Sequence, residues 1–485
     1  MTATATPTHP HETRLGLVTG ATGYVGGELV GALLEHGWRV RVLSRSADKV
    51  KDADWGDRVV DGPAAAGQVE VVEGDATEAA DLRRALEGVD VAWYLLHSMG
   101  DADDFQQAER EMARAFAETA RACEVTRIVY LGGLHPRGDE LSEHLASRVE
   151  VGQILMASGV PTAVLQAGVV LGDGSQSFVM LRHLAERLPG AVGPRWLHNE
   201  IQPIAVADVL HYLVAAADLG PEHNREFDVA GPDVVSYAQM MSRYAEAVGL
   251  GPRLVLTAPV TTPRAAARWI GLVTPVPHAL AEPLIGSLLH DTVADEHDLA
   301  DLVGEPAGGP TGFEDAVRAA AQGQDTRRWQ RTLVGTSAAV ALTAALGSLA
   351  TDTSSRWYRR LDQPAIQPPG WVFPVVWTLL YADVAAIGAL SLADLAETGR
   401  ADERRAYLAA LGTNLVLNAG WSAVFFRGHR LPLATAEAAL LALSSADLVR
   451  RSGRVSTEKA VVLAPYAAWT AFATVLTAAI ARRNR

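Results

Sequence analysis

The sequence predicts an α/β Rossmann-type doubly wound parallel sheet with a small lobe, followed by an all-α five-helix transmembrane bundle. Three observations carry this. A glycine-rich loop, Gly20-x-x-Gly23-x-x-Gly26, sits between a strand-like and a helix-like run. Strand-like and helical stretches then alternate, the pattern of a parallel sheet. Five long apolar segments follow Thr332.

Whole-chain averages hide the join. At 485 residues the chain has room for about three domains of ~100–200 residues, and a mean hydropathy of +0.09 with 20% charged residues resembles an ordinary soluble protein. Divided at Thr332, however, residues 332–485 carry 15 Lys/Arg against 10 Asp/Glu, whereas residues 1–331 carry 27 against 46. The acidic front excludes a nucleic-acid partner, because phosphate contacts need clustered cations. The single cysteine, Cys123, excludes an internal disulfide and a multi-cysteine metal site, and no metal is expected. The expected domains are a disordered tail over 1–13, a nucleotide-binding unit over 14–325 with its small lobe at about 220–320, and a membrane domain over 326–485.

The first element pair reads directly from RLGLVTGATGYVGGELVGALLEHGWRVRVLSR. Leu15 to Thr19 is an apolar strand, a glycine turn and helix follow, Gly37 ends the helix and a second strand begins. Glycine at 20 and 23 lets the backbone turn and approach a pyrophosphate, glycine at 26 lets the helix pack close, and the helix N-terminus faces the phosphates. Thr22, Tyr24 and Val25 complete this cofactor loop. Further strand-like runs are VEVVEGD (69–75), VAWYLLHS (91–98), RIVYLGGL (127–134) and TAVLQAGVVLG (162–172).

The end of the second strand selects the cofactor. NAD-specific sites place an acidic residue there for the ribose 2′-hydroxyl, but this chain has Ser44-Arg45. A cationic fork suits a 2′-phosphate, so NADP(H) is expected in preference to NAD(H); the other reading of Arg45 is a solvated surface arginine. Asp75, followed by Ala76, ends the next strand and either bonds the adenine amine or forms a plain turn.

Beyond the glycines, YLGGLHP (130–136), LSEHLASRVEVGQIL (141–155), GSQSF (174–178), PRW (194–196) and IQPIAVADV (201–209) resemble the atypical short-chain dehydrogenases, the NmrA-like NAD(P)H-binding proteins, over about residues 14–320. In that superfamily a Tyr-x-x-x-Lys pair with an upstream serine performs hydride chemistry. Here His144-x-x-x-Arg148 stands at the Tyr/Lys position and Gly132-Gly133 where serine is expected. Histidine can shuttle a proton near pH 7, and Arg148 is a candidate to hold the nicotinamide ribose, but arginine stays protonated and is no base. Two readings stay open: a redox-sensing or regulatory cofactor-binding domain, and an NADP-dependent oxidoreductase acting on an apolar substrate.

The segment from about 220 to 320 holds Pro252, Pro259, Pro263, Pro275, Pro277 and Pro283 among short helical stretches and is expected to close over the nicotinamide end. GEPAGGPTG (304–312) is a loop, and Phe313 to Gln322 a last soluble helix.

Thr332–Thr351, Ala406–Phe426 and Ala460–Ala481 contain no charge and approach the ~20 residues that cross a bilayer. Trp371–Ala393 carries Asp383, and Leu431–Ala446 carries Glu437. Both carboxyls are expected to face the bundle interior, a dimer seam or water, since lipid penalises them. The N-terminus has no apolar signal region, which makes the first domain cytoplasmic in a cell-membrane protein. The flanking charges then divide ten inside against eight outside, with Lys459 among the ten.

Six of the eleven tryptophans fall at or after Trp329. WYRRLDQPAIQPPGWVFPVVWTLLY (357–381), NLVLNAGWSAVFF (414–426) and APYAAWTAFATVL (464–476) resemble the tryptophan-rich sensory proteins, also called the TspO or translocator protein family. Indole faces stack on flat conjugated rings, and a polar group in lipid needs a partner. Trp377, Tyr381, Asn418, Trp421 and Trp469 therefore read as pocket lining. The resemblance implies tetrapyrroles or other apolar small molecules as ligands, the lipid bilayer as surroundings and a homodimer through the membrane domain. Thr477 departs from it, standing where the family usually has Asn.

Overall fold

The computed structural model describes residues 14–96, 105–136, 141–258 and 262–485. The expected tail over 1–13, the end of the run 91–98 and Pro259 lie outside the described residues. Two compact units divide the chain: Met1–Ala267 with His278–Gly323, and Arg268–Pro277 with Gln324–Arg485.

The first unit is built on an eight-stranded parallel sheet. Its strands are β1 (Leu15–Thr19), β2 (Arg39–Ser44), β3 (Val59–Val60), β4 (Val69–Glu73), β5 (Val91–Tyr94), β6 (Arg127–Gly133), β7 (Thr162–Ala167) and β8 (Arg225–Val229). They lie in the order β8-β7-β6-β5-β1-β2-β4-β3. The chain runs outward from β1 through β2, then crosses back to β5 on the other side, so β1 and β5 flank the switch point where such sheets bind ligands. Thr19 ties the two strand ends: its hydroxyl donates to the Trp93 carbonyl at 3.1 Å and accepts from Leu95 N at 3.1 Å.

Each face carries its own core. Leu29, Val30 and Leu33 of the helix Tyr24–Glu35 join Val209 and Leu213 of Val206–Ala215 on one face, and Leu82, Phe116, Val151 and Leu155 cover the other. Trp93 meets Trp38 edge-on at 5.1 Å, an arrangement that needs Gly16, where a Cβ would come 2.7 Å from the Trp93 ring. The expected strand over 162–172 is broken in two, Thr162–Ala167 and Val170–Leu171, because Gly168 passes hard against the Gln202 carbonyl and turns the chain. The two-residue strand β3 and the edge strand β8 carry too little periodicity to be foreseen.

The second unit holds five helices long and apolar enough to cross a membrane: Arg328–Ala350, Val372–Glu397, Ala401–Arg427, Leu431–Gly453 and Thr457–Arg483, referred to below as the first to fifth spans. Each overlaps its expected segment. Large apolar side chains such as Val334, Leu349, Leu379, Val416, Leu443 and Val461 are exposed on their outer faces. A soluble bundle would bury such a surface; a lipid-facing one requires it. The chain is an integral membrane protein.

The interior of the bundle is polar where it must be specific. Tyr381 donates to Asn418 Oδ1 (2.7 Å), Asn418 Nδ2 to the Tyr466 hydroxyl (3.1 Å), that hydroxyl to Asn414 Oδ1 (2.7 Å), and Asn414 Nδ2 to Ser445 Oγ (3.1 Å). Every member of this chain has a partner, which is what makes a buried polar network tolerable in an apolar interior. Asp383 and Glu437 are half-buried, and the Glu437 carboxylate lies against Gly420 of the third span.

Candidate functional site: a nucleotide cleft and an aromatic cavity

The glycine loop lines a cleft of about 630 Å³ at the switch point. Gly20 takes φ +75°, and a Cβ there would also stand 2.5 Å from the Leu95 carbonyl oxygen. Gly23 is extended at φ −84° and caps the helix; its N–H donates to the Gly20 carbonyl at 2.9 Å. A Cβ on Gly26 would run into that same carbonyl. The three glycines thus serve different needs: backbone conformation, a tight turn and close helix approach. The helix N-terminus opens into the cleft, so the cradle fits a dinucleotide pyrophosphate.

Of the residues expected to hold cofactor, Gly20, Thr22, Gly23, Tyr24, Val25, Gly26 and Arg45 all line this cleft, as do His144 and Arg148. Ser44, Asp75 and Ala76 do not. Ser44 Oγ donates to the Ser46 carbonyl at 3.0 Å and closes a local turn. Asp75 accepts at Oδ1 from Thr77 N (3.0 Å) and Thr77 Oγ1 (2.9 Å), which closes a local turn. These bonds, with a smaller contribution from the Arg45 charge, hold its carboxyl below the usual aspartate range. Ala76 packs against the core.

Tyr24 lies over the Gly172-Asp173-Gly174 turn, where side chains at either glycine would collide with its ring. Burial and the neighbouring Asp173 push its phenol well above the ordinary value, so it is a neutral donor at physiological pH.

His144 is the second residue of the helix Glu143–Met156, whose first turn Ser142 caps at Leu145 N. Burial, and then the Arg148 charge, press its pKa down to about 4. The ring is neutral at pH 7, with one nitrogen carrying a proton and the other able to accept one. The Arg148 guanidinium lies beside Gly133, where a Cβ would make an ordinary contact with its Nη1 at 3.5 Å.

The cleft's far wall comes from residues that sequence reasoning missed: Tyr237, Leu280, Leu284 and Leu288. The Tyr237 hydroxyl is buried without a hydrogen-bond partner among the described residues, and burial holds it protonated. These positions lie on short helices and the turn after one of them, far along the chain, where only tertiary contact shows their purpose.

In the second unit, a cavity of about 520 Å³ is lined by all five expected residues, Trp377, Tyr381, Asn418, Trp421 and Trp469. Trp421 stacks on Phe425 at 5.1 Å and 22°, Trp377 lies 5.3 Å from Tyr381, and Trp469 meets Phe373 edge-on at 6.0 Å. Phe425 and Phe426 also line it and sit on a π-helical turn, Ala423–Arg427, that ends the third span. Such turns re-aim side chains, often at functional sites. Thr477 faces the cavity too, its hydroxyl bonded back to the Ala473 carbonyl at 2.8 Å.

Comparison with known proteins finds a family for each unit. Residues 20–214 match the NAD(P)H-binding family model and residues 336–483 the TspO/MBR family model. A ceramide reductase of Caulobacter vibrioides is 30% identical over 244 residues, covering 49% of this chain and 72% of that protein. The tryptophan-rich protein TspO of Chlorobaculum tepidum is 34% identical over 141 residues, 28% of this chain and 86% of that protein. Human translocator protein is 34% identical over 130 residues, 27% and 75% respectively. With a Rossmann-type nucleotide cleft and an aromatic five-helix bundle in one polypeptide, the chain belongs to the NAD(P)H-binding family through its first unit and to the TspO/MBR family through its second.

Proposed function

We propose that this protein is a membrane-anchored, redox-responsive NADP(H)-binding protein whose bundle holds a tetrapyrrole or similar flat apolar ligand. The observation that carries this reading is the aromatic cavity sharing a chain with a nucleotide cleft whose histidine is neutral at physiological pH. The cavity offers flat indole and phenyl faces to a conjugated ring, and its polar end is the Tyr381–Asn418 pair. The first unit is placed on the cytoplasmic side of the cell membrane, in keeping with the excess of flanking cations at that end of the bundle. A homodimer through the bundle follows the family resemblance.

The test is thermodynamic linkage. NADPH is titrated by its fluorescence into the detergent-solubilised protein with and without protoporphyrin, and protoporphyrin by tryptophan quenching with and without NADPH. Sensing requires each ligand to change the other's affinity by one shared factor, about 5- to 150-fold for a typical coupling. No change in either direction rejects the coupling and leaves two independent sites.

Phosphorylated cofactor is favoured through Arg45, which is exposed at the cleft. Arg45→Ala is expected to weaken NADPH binding about 10- to 100-fold, as loss of a charged hydrogen bond does, while NADH affinity stays within about twofold. Equal losses for both cofactors would remove the 2′-phosphate role.

A second reading, an oxidoreductase, is favoured by the apolar wall of Leu280, Leu284 and Leu288 beside the unpartnered Tyr237 hydroxyl. NADPH supplies a hydride when bound; Tyr237, kept protonated by burial, is then the candidate proton donor to a substrate oxygen. The ceramide reductase relative directs the choice of trial substrates to long-chain carbonyl compounds.

A further inference from the structure

The bundle carries a second hollow, separate from the aromatic cavity. It measures about 690 Å³ and lies between the first, second and third spans. Gly335 and Ala339 of the first span and Gly412 of the third form its walls, Leu392 of the second its floor, and Leu408 and Leu415 its sides. Cβ atoms built on Gly335 or Gly412 meet nothing within 4 Å, so these glycines leave open space where side chains would close the groove.

One end of the groove is cationic. Arg328, Arg331 and Arg404 rim it with Asp325. Arg328 pairs with Glu397, and Arg331 with Asp325. Arg404 is exposed and makes no side-chain hydrogen bond or ion pair among the described residues, while its neighbour Arg405 pairs with Asp402. The rim therefore holds an uncommitted guanidinium beside two others, and the walls beyond it are uncharged.

The dimensions match half a bilayer. Arg328 to Ala339 and Arg404 to Leu415 each cover about 16 Å of helix. That is close to half of a hydrocarbon core of ~30 Å. A groove of this length that starts from cations at the interface ends near the midplane.

We propose that this groove binds one anionic phospholipid, with its phosphate held by Arg404 and Arg331 and one acyl chain lying along Gly335, Ala339 and Gly412. Guanidinium groups bind phosphate oxygens in pairs, and cationic pockets between spans select anionic head groups. The acyl chain buries apolar surface in the space that these glycines leave open. The site requires neither the nucleotide nor the aromatic ligand.

The full chain is extracted in mild detergent from membranes containing phosphatidylglycerol, cardiolipin and phosphatidylethanolamine, and its retained lipids are read by native mass spectrometry. One anionic lipid per chain is expected, with phosphatidylethanolamine retained at least about tenfold less: both lipids offer a phosphate, but the ethanolamine ammonium cancels the net charge that attracts the guanidinium groups at about 1 kcal/mol each. Arg404→Gln is expected to cut anionic retention about tenfold. Gly412→Leu fills the groove from a position with open space around it and is expected to remove the lipid while leaving NADPH affinity unchanged. Equal retention of zwitterionic lipid, full occupancy in both variants, or a lipid-free dimer that buries the groove would each overturn the proposal.

Discussion

Replacing Lys459 by methionine is expected to destabilise the bundle by about 3–5 kcal/mol, the usual loss when one partner of a buried ion pair is removed. Lys459 Nζ lies 2.7 Å from Asp394 Oδ2, and the two side chains are 0% and 2% exposed. They join the end of the second span to the start of the fifth across 65 residues of sequence. Methionine matches the length and apolar stem of lysine, so what it removes is the charge, leaving the Asp394 carboxylate buried without its cation. The loss should appear as a lower thermal midpoint in detergent, followed by tryptophan emission. Restoring the balance with Asp394→Leu in the same chain is expected to recover most of it, because well-packed apolar groups replace buried pairs at little or no cost. A single variant that melts within about 1 kcal/mol of the parent would mean that water reaches the pair, as it does for surface bridges.

That pair also marks where sequence reading stops. Lys459 counts as one of ten inner flanking cations in the linear pattern, yet in three dimensions it points into the bundle and leaves nine against eight. Length and hydropathy make the five spans legible because a bilayer imposes them residue by residue. The choice of inward-facing charge depends on which helices meet, and no local period carries that. The same division runs through the sites. Gly20, Gly23 and Gly26 are legible because one loop of seven residues needs all three. Tyr237 and Leu280 face the same cleft from helices over two hundred residues later. Trp377, Trp421 and Trp469 are legible by composition, while Tyr466 and Asn414, which continue the hydrogen-bond chain from Asn418, are recognised only once three spans are in register. Asp75 shows a bond that the linear pattern does not distinguish: Thr77, two residues on, donates twice to its Oδ1.

The glycine loop admits the sharpest test of the first unit. Gly26→Val is expected to abolish NADPH binding over any accessible range, a loss of at least about 100-fold, equivalent to some 3 kcal/mol. A side chain at 26 collides with the Gly20 carbonyl, and Gly20 is itself held in a close turn at φ +75°, where a Cβ would stand 2.5 Å from the Leu95 carbonyl oxygen. The helix Tyr24–Glu35 must therefore move away from the loop, taking with it the N–H groups and positive dipole end that the pyrophosphate needs. Two neighbouring glycines provide the control. At Gly27 a Cβ would make an ordinary 3.4 Å contact with the Ala21 carbonyl, and at Gly31 it would meet nothing within 4 Å. Gly31→Ala is expected to leave NADPH affinity unchanged and to raise stability by up to about 1 kcal/mol through helix propensity alone. Fluorescence titration of NADPH, alongside protoporphyrin quenching of the bundle tryptophans, separates the outcomes: loss of nucleotide binding with the bundle ligand retained places the defect in the loop. If Gly26→Val binds NADPH as tightly as Gly31→Ala, close approach of this helix to the sheet is not what builds the cofactor site, and the phosphate-binding role of the loop falls with it.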